Sequence, residues 1–143
     1  PRRPAGSLPV AVLGWDGAPP PPWRPSDWRT LTPYLYAIDL YNYCCWWESH
    51  EVLEGLWHAA GRRGAPAEGV QGLIHLAAAH LNRYRGKPSA ARQAARGLNR
   101  IRTAAGVAPI FMGIDVADLD HRVRMAFSEE PFRPVRITLD MDA

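Results

Sequence analysis

The sequence predicts an all-α protein, an antiparallel bundle of four to five helices with extended arms at both ends. Three observations favour this fold. Apolar residues recur at helical spacing in successive segments between residues 32 and 127. Glycine and proline separate these segments at short intervals, and short connections favour antiparallel neighbours. The chain contains no internal repeat and no alternation of strand and helix that would indicate a parallel sheet.

Residues 1–31 are predicted to form an extended strap, rich in proline and tryptophan, that precedes the bundle. Eight of the 14 prolines fall in this segment. Proline lacks a backbone donor and favours polyproline II, so the segment should be extended. It also contains Trp15, Trp23 and Trp28. Because exposed tryptophan is costly, packing on the domain surface is favoured over a ligand for a proline-binding module.

The helical-bundle core is predicted to occupy residues 32–106. Its first helix should begin at Thr32-Pro33, because threonine is a good N-cap and proline suits the first helical position. A second helix should run from about Trp46 to Ala60 and end at Gly61, which can adopt the left-handed conformation that closes a helix.

Two further helices in the core are indicated by apolar faces, and the third should stop at Gly86-Lys87-Pro88. The faces are Val70, Leu73, Ile74, Ala77, Leu81 and Tyr84 in the third helix, and Ala91, Ala94, Ala95, Leu98, Ile101 and Ala105 in the fourth.

Residues 107–143 are predicted to hold a short fifth helix and an extended tail. Asp115 and Asp118 resemble a capping pair that opens a helix reaching about Phe127. From residue 131 to residue 139 apolar and polar side chains alternate, which is typical of extended chain.

Composition restricts the classes of protein to which the chain can belong. A hydrophobic content of 47% is enough for one globular domain of 143 residues. The two cysteines, Cys44 and Cys45, are adjacent and cannot form a loop-closing disulfide framework, so a reducing, cytoplasmic compartment is expected. No segment approaches the ~18 apolar residues of a membrane span, and no membrane association is expected.

Charge is unevenly distributed, although the formal net charge is only +3. Between Gly69 and Ile114 there is no acidic residue, yet seven basic ones occur: Arg83, Arg85, Lys87, Arg92, Arg96, Arg100 and Arg102. This Arg-rich face could bind a polyanion, the chain's own acidic helix, or a second copy in a homo-oligomer. Nucleic acid is a weak candidate, because Tyr84 is the one aromatic residue interleaved with these cations.

Ionisable residues are concentrated in the second predicted helix, where Glu48, His50, Glu51 and Glu54 should be buried. At about 100° per residue, His50 and Glu54 lie on one face a single turn apart. Trp57 flanks them, and His58 lies one turn further along the helix.

The same residues carry a family resemblance. The blocks Leu40-Tyr41-Asn42, Trp47 to Trp57, Gln71 to Ala77 and Arg85 to Pro88 occur in order and resemble the domain of unknown function 309, a family of helical bundles with an H-x-x-x-E-x-x-W signature. The resemblance covers about Pro33 to Ala105. It implies that the site includes His50, Glu54 and Trp57, with Glu48, Asn42 and Gln71 in flanking blocks. It implies no reaction, and divalent-metal binding is a proposal for the family.

A divalent-metal or small-ligand site is one interpretation of this cluster. Histidine and glutamate at i and i+4 can chelate a cation, as paired histidines at this spacing do for zinc. A third ligand is needed, and His58 is the best placed on the same stripe. His75 or His80 could also reach across from the next helix.

Two metal-free interpretations remain open beside it. In the first, His50 and Glu54 form a buried hydrogen-bonded network with Gln71 or Asn42 that fixes helix register, and the protein is a non-enzymatic interaction module. In the second, Glu54 or Glu48 orients His50 as a catalytic base. No nucleophile lies in a recognisable motif, so the sequence does not decide whether the protein is an enzyme.

Overall fold

The chain folds as a helical bundle, which confirms the predicted all-α class. The computed structural model describes residues 17–142, so Trp15 and the first part of the predicted strap lie outside the described residues. A 3₁₀ helix, Pro25–Thr30, precedes the bundle. The α-helices are α1 (Thr32–Asn42), α2 (Trp46–Ala59), α3 (Gly64–Tyr84), α4 (Ala90–Ala105) and α5 (Val116–Phe127). Two short antiparallel strands, β1 (Ile110–Phe111) and β2 (Ile114–Asp115), lie between α4 and α5.

Helix boundaries differ from the sequence prediction at two N-termini. Thr32 is the first residue of α1 rather than its cap, and the capping position is Leu31, which makes no side-chain hydrogen bond there. α3 begins at Gly64, well before its first strongly apolar residue. At the other end of α2, Gly61 has φ of 83°, the left-handed conformation predicted for it.

α3 and α4 form the closest helix pair, and two glycines allow it. A Cβ atom on Gly72 would lie 2.6 Å from the carbonyl oxygen of Gly97, and one on Gly97 would lie 2.7 Å from that of Gly72. Because both positions lack a side chain, the two backbones touch. This contact holds α4 in a fixed position on α3, and with it the basic residues of α4.

The bundle core consists of apolar side chains from all five helices and the strand hairpin. The largest fully buried ones are Tyr34, Leu40, Tyr41, Trp46, Leu53, Leu56, Leu73, Leu76, Ile101, Ile114 and Leu119. The described part of the strap packs against this core. Trp28 is buried, and the indole Nε1 of Trp23 donates to the carbonyl oxygen of Leu56 at 3.0 Å. Within this segment, Pro25–Thr30 form a 3₁₀ helix where extended chain was predicted.

The C-terminal tail crosses the bundle in extended form and contacts α1, α3 and β2. The amide of Asn42 pairs with the backbone of Ile137, donating to its oxygen at 2.8 Å and accepting from its nitrogen at 2.7 Å. Val135 N donates to the buried His80 ring at 3.2 Å. Further on, Leu139 forms an isolated bridge with Ile114. The tail is therefore part of the packed structure.

None of the described helices combines the length and the apolar character that crossing a lipid bilayer requires.

Candidate functional site

The carboxylates of α2 lie on its solvent side, which corrects the expectation that they are buried. Glu48, Glu51 and Glu54 are all exposed. The face of α2 that enters the core is formed by Trp46, Ser49, Leu53 and Leu56. Ser49 is the buried polar residue of this face, and its hydroxyl donates to the Ala37 carbonyl oxygen at 2.8 Å.

His50 lies at the edge between the buried and exposed faces of α2. Its side chain is 22% exposed, and its ring stacks on the indole of Trp47 with centroids 5.2 Å apart. The Nδ1 atom lies 3.7 Å from Glu54 Oε1, beyond hydrogen-bond distance. This Nδ1 is buried and has no hydrogen-bond partner in the described part of the chain, and the same is true of Trp46 Nε1 one turn earlier.

His58 and the signature residue Trp57 are engaged away from His50. His58 Nδ1 accepts a hydrogen bond from Arg62 Nε at 2.9 Å, which occupies the lone pair that a metal would need. The Arg62 guanidinium also lies 5.8 Å from the ring centroid of Trp57, which is half-buried. The turn after α2 therefore forms a local cluster of His58, Arg62 and Trp57.

Asn42 and Gln71 also have partners other than the His50–Glu54 pair. Asn42 binds the backbone of Ile137 in the tail, as described above. Gln71 Oε1 accepts from Arg100 Nη1 at 3.1 Å, and the same nitrogen lies 3.3 Å from Glu68 Oε1. The hydrogen-bonded network predicted around His50 is therefore not formed by the residues that the structure describes.

A buried polar cluster is centred instead on His80 in α3. The ring is fully buried and both nitrogens are satisfied. Nδ1 lies 2.9 Å from the Leu76 carbonyl oxygen and 3.0 Å from Tyr41 Oη, and Nε2 accepts from Val135 N. Because Nε2 accepts, the neutral ring carries its proton on Nδ1. Burial lowers the pKa of His80 to about 4.

Aromatic rings enclose His80 on several sides. The ring centroids of Phe127, Trp46 and Phe132 lie 5.1, 5.6 and 5.8 Å from that of the imidazole. His80 is thus a structural residue, although it had been considered as a metal ligand from the helix facing His50. The sequence signal for this role is the position of His80, three residues after Ala77 and one before Leu81 on the apolar face of α3.

Residues 17–142 contain no group of three or more His, Cys, Asp or Glu side chains placed to hold a metal ion. His50 and Glu54 supply two candidate ligands, and His58 is bound to Arg62. Since structural and catalytic zinc sites use at least three protein ligands, these residues do not fit a complete zinc site in one chain.

The Arg-rich face is divided between paired and unpaired cations. Arg100 is half-buried and bound to Glu68 and Gln71, whereas Arg92 and Arg96 are exposed and make no ion pair within residues 17–142. His75 in α3 lies beside them. Burial, followed by the nearby Arg100 and Arg96 guanidiniums, lowers the pKa of His75 below its ordinary value, while Glu68 opposes this. The α3–α4 face therefore has an uncompensated positive potential.

Comparison with known proteins bears on residues 34–94, which match the family model described as domain of unknown function 309. The matched segment contains nearly all of α1, the whole of α2 and α3, and the start of α4. No curated protein and no solved structure shows a significant match to the chain. The resemblance indicated by the signature is therefore confirmed for this segment, and α5 and the tail lie outside it.

Proposed function

Since residues 34–94 belong to the domain of unknown function 309 family, we propose that the protein is a non-enzymatic interaction module whose Arg-rich face binds an acidic segment of a partner protein. One observation carries this proposal. Arg92 and Arg96 are exposed on a helix without any carboxylate, and no acidic group in residues 17–142 pairs with them. Bringing acidic side chains to this face would relieve the repulsion between like charges.

A comparison with other arginines supports the choice of this face. Several arginines of the described chain are matched by carboxylates, as in the pairs Arg83–Glu130, Arg122–Asp118 and Arg124–Asp120. Other exposed arginines, such as Arg63 and Arg85, also make no ion pair within residues 17–142, but Arg92 and Arg96 lie one turn apart on a helix without any carboxylate. Exposed pairs of this kind add little stability, but they cancel the local potential. Because Arg92 and Arg96 lack such partners, their charge remains available to another molecule.

His75 provides a second argument for the proposal, and its NMR signal can be used to follow binding. Its lowered pKa results from burial together with the charges of Arg100 and Arg96. A bound acidic segment would oppose those charges and raise the pKa of His75 towards its ordinary value. Binding would then take up protons, so affinity should increase as the pH falls below 6.5, the ordinary pKa of the group.

An acidic protein segment suits the face better than a nucleic acid does. Proteins that bind single strands combine cations with aromatic rings on which bases stack. The exposed aromatic residues of the described chain, Trp47 and Tyr84, lie instead near the α2 side of the bundle, where Tyr84 is 6.2 Å from the ring of buried Trp46. The Arg92–Arg96 surface therefore offers charge without a stacking platform.

The test is a titration with an oligoglutamate peptide, followed by the NMR signal of His75. We expect the double variant Arg92→Gln/Arg96→Gln to bind about tenfold more weakly, since two exposed charge contacts contribute roughly 1.4 kcal/mol together. The matched control is Arg24→Gln/Arg122→Gln, which removes the same charge from positions that are paired with Asp27 and Asp118. Equal losses of affinity in both double variants would contradict the proposal. Tighter binding of single-stranded DNA than of the peptide would indicate that the partner is a nucleic acid and not an acidic protein segment.

A second candidate function, binding of a small polar ligand at the family signature, is favoured by the unpartnered Trp46 Nε1 and His50 Nδ1. A divalent metal here would require ligands from another molecule in addition to His50 and Glu54. Elemental analysis of the untagged protein, with His50→Ala and Glu54→Ala checked for folding by circular dichroism, tests this. Stoichiometric metal that is lost in folded variants would establish a metal centre and displace the interaction proposal.

The distribution of charge also favours self-association. The exposed acidic residues Glu48, Glu51 and Glu54 complement the Arg-rich face of another copy, so a homo-oligomer that dissociates in high salt is expected. Sedimentation at low and high salt tests it. We also propose a reducing, cytoplasmic compartment, because Cys44 and Cys45 are adjacent in the sequence and cannot form a loop-closing disulfide framework.

A further inference from the structure

A cleft outside the family segment brings two arginines, an aspartate and a histidine together. It lies between the end of α4 and α5, has a volume of about 430 Å³, and is lined on its polar side by Arg102, Asp120, His121 and Arg124. All of these residues lie beyond residue 94, where the family match ends. The cleft is thus a feature of this chain and lies apart from the Arg92–Arg96 surface.

Asp120 holds both arginines at the cleft wall. Its carboxylate accepts from Arg124 Nε at 2.7 Å and from Arg102 Nη2. The Asp120 side chain is only 16% exposed, whereas both arginine side chains are about half exposed. One carboxylate therefore restrains two guanidinium groups, and the three side chains together carry a net charge of +1.

Hydrogen-bonding capacity remains on both guanidinium groups. Each has five N–H donors. Arg102 directs Nη2 to Asp120 and Nη1 to Asn99 Oδ1 at 3.3 Å, while Arg124 uses Nε and, weakly at 3.5 Å, Nη2 for Asp120. The remaining donors match the oxygens of a carboxylate or phosphate, which arginine binds in pairs. Because Asp120 already fixes both arginines, less side-chain entropy would be lost on binding.

The rest of the cleft lining is mostly apolar. Ala105, Pro109, Val116 and Met125 line it, and Met125 is one of the large hydrophobic side chains left exposed in the described chain. The volume lies within the range of pockets that bind small molecules. A ligand that fits both the charged and the apolar lining residues has an anionic end and a compact apolar body.

We propose that this cleft is a binding site for a small organic anion, with its carboxylate or phosphate group on Arg102 and Arg124 and its apolar part against Val116 and Met125. The site is separate from the Arg92–Arg96 surface proposed above, because Arg102, although it is one of the seven residues of the Arg-rich face, is bound to Asp120 of α5. His121 lies at its polar rim and can donate a further hydrogen bond.

The experiment is an NMR titration of ¹⁵N-labelled full chain with phenyl phosphate and benzoate, which represent the two anionic groups, and with inorganic phosphate. We expect saturable shifts of the α5 amides and the Arg124 Nε–H signal, with a Kd on the order of 1 mM for at least one aromatic anion. Inorganic phosphate should bind several-fold more weakly, because it lacks the apolar body. Equal affinity for inorganic phosphate would overturn the proposal of an organic ligand.

Matched variants locate the site. Arg124→Gln should weaken binding about tenfold, the effect of losing one charge-assisted contact of roughly 1.4 kcal/mol. Arg102→Gln provides the same test if Arg124→Gln fails to fold. The control Arg122→Gln removes an equal charge from the same helix, but from a side chain bound to Asp118. Shifts that do not saturate, or equal weakening by the control, would contradict a site in this cleft.

Discussion

His50 and His80 lie on neighbouring helices and both contact aromatic rings, yet their surroundings differ in burial and in hydrogen bonding. His80 is fully buried and both of its ring nitrogens are hydrogen-bonded. His50 belongs to the family signature, is partly exposed, and has a buried Nδ1 without a partner in the described chain. The residue that the motif marks is therefore not the residue on which the packing depends.

The difference shows what a buried polar side chain requires. Neighbours on its own helix cannot satisfy His80 alone, and two of its partners come from distant segments, Tyr41 in α1 and Val135 in the tail. Each contact links a separate part of the chain to α3. The hydrogen bonds of His80 therefore connect three parts of the chain, whereas His50 is positioned mainly by its stacking on Trp47.

The largest expected loss of stability follows from removing the His80 side chain and its hydrogen bonds. His80→Ala leaves a cavity among aromatic rings and deprives Val135 N of its acceptor, so we expect the free energy of unfolding to fall by about 3 kcal/mol. Urea denaturation measures it. His50→Ala is the matched control and should cost less than about 1 kcal/mol, because its side chain has no hydrogen bond to lose. Equal destabilisation by the two substitutions would abolish the distinction between the histidines.

Acid should distinguish the two histidines next. The pKa of His80 is lowered from 6.5 to about 4 in the folded protein, so the unfolded chain binds more protons between these values. The stabilising contribution is complete above pH 6.5 and is lost as the pH falls towards 4, with a slope of up to about 1.4 kcal/mol per pH unit. Over this window the free energy of unfolding should depend less steeply on pH for His80→Gln than for the wild type. An equal loss of pH dependence in a His50→Gln variant would refute the assignment to His80.

A smaller effect is expected where the tail meets α1. Asn42→Ala removes both hydrogen bonds to Ile137, and we expect a loss of about 1.5 kcal/mol together with faster amide exchange at Ile137. Hydrogen exchange resolved by residue measures this. The control is Asn99→Ala, an exposed position on α4 where the change should stay within about 0.5 kcal/mol. Unchanged exchange at Ile137 would show that the tail is held by His80 and apolar packing alone.

The smallest effect concerns the signature pair. A double-mutant cycle on His50→Ala and Glu54→Ala should give a coupling energy below about 0.5 kcal/mol, since the two groups are 3.7 Å apart and Glu54 is 50% exposed. A coupling above about 1.5 kcal/mol would restore the hydrogen-bonded network as the role of the signature.

Local patterns predicted the helices well, because periodicity and Gly or Pro at the ends are local signals. α2 shows the limit. Its segment mixes tryptophans with glutamates, and periodicity alone did not reveal that Ser49 faces the core while Glu54 faces solvent. The signature indicated that His50 and Glu54 are close, and they are one turn apart as expected, but their exposure depends on how α2 rolls against α1 and α3.

Long-range contacts account for most of what was missed. Asn42 and Ile137 are 95 residues apart, and nothing near either one indicates the pairing. The hairpin of β1 and β2 is only two residues long on each side, too short for strand alternation to be visible. The Arg102–Asp120–Arg124 cluster likewise forms only when α5 packs beside α4. Such sites depend on tertiary packing and have no local sequence signal.

The docking of the tail on His80 and Asn42 has a consequence for synthesis on the ribosome. Because translation proceeds from the N-terminus, the helices emerge before Val135 and Ile137 have been made, and during that interval His80 Nε2 and the Asn42 amide must rely on water. A bundle that forms before the tail has been made would leave a seam between α1 and α3 open to water. Its closure by the tail is a late step of folding, one that a chain stopped before residue 135 cannot complete.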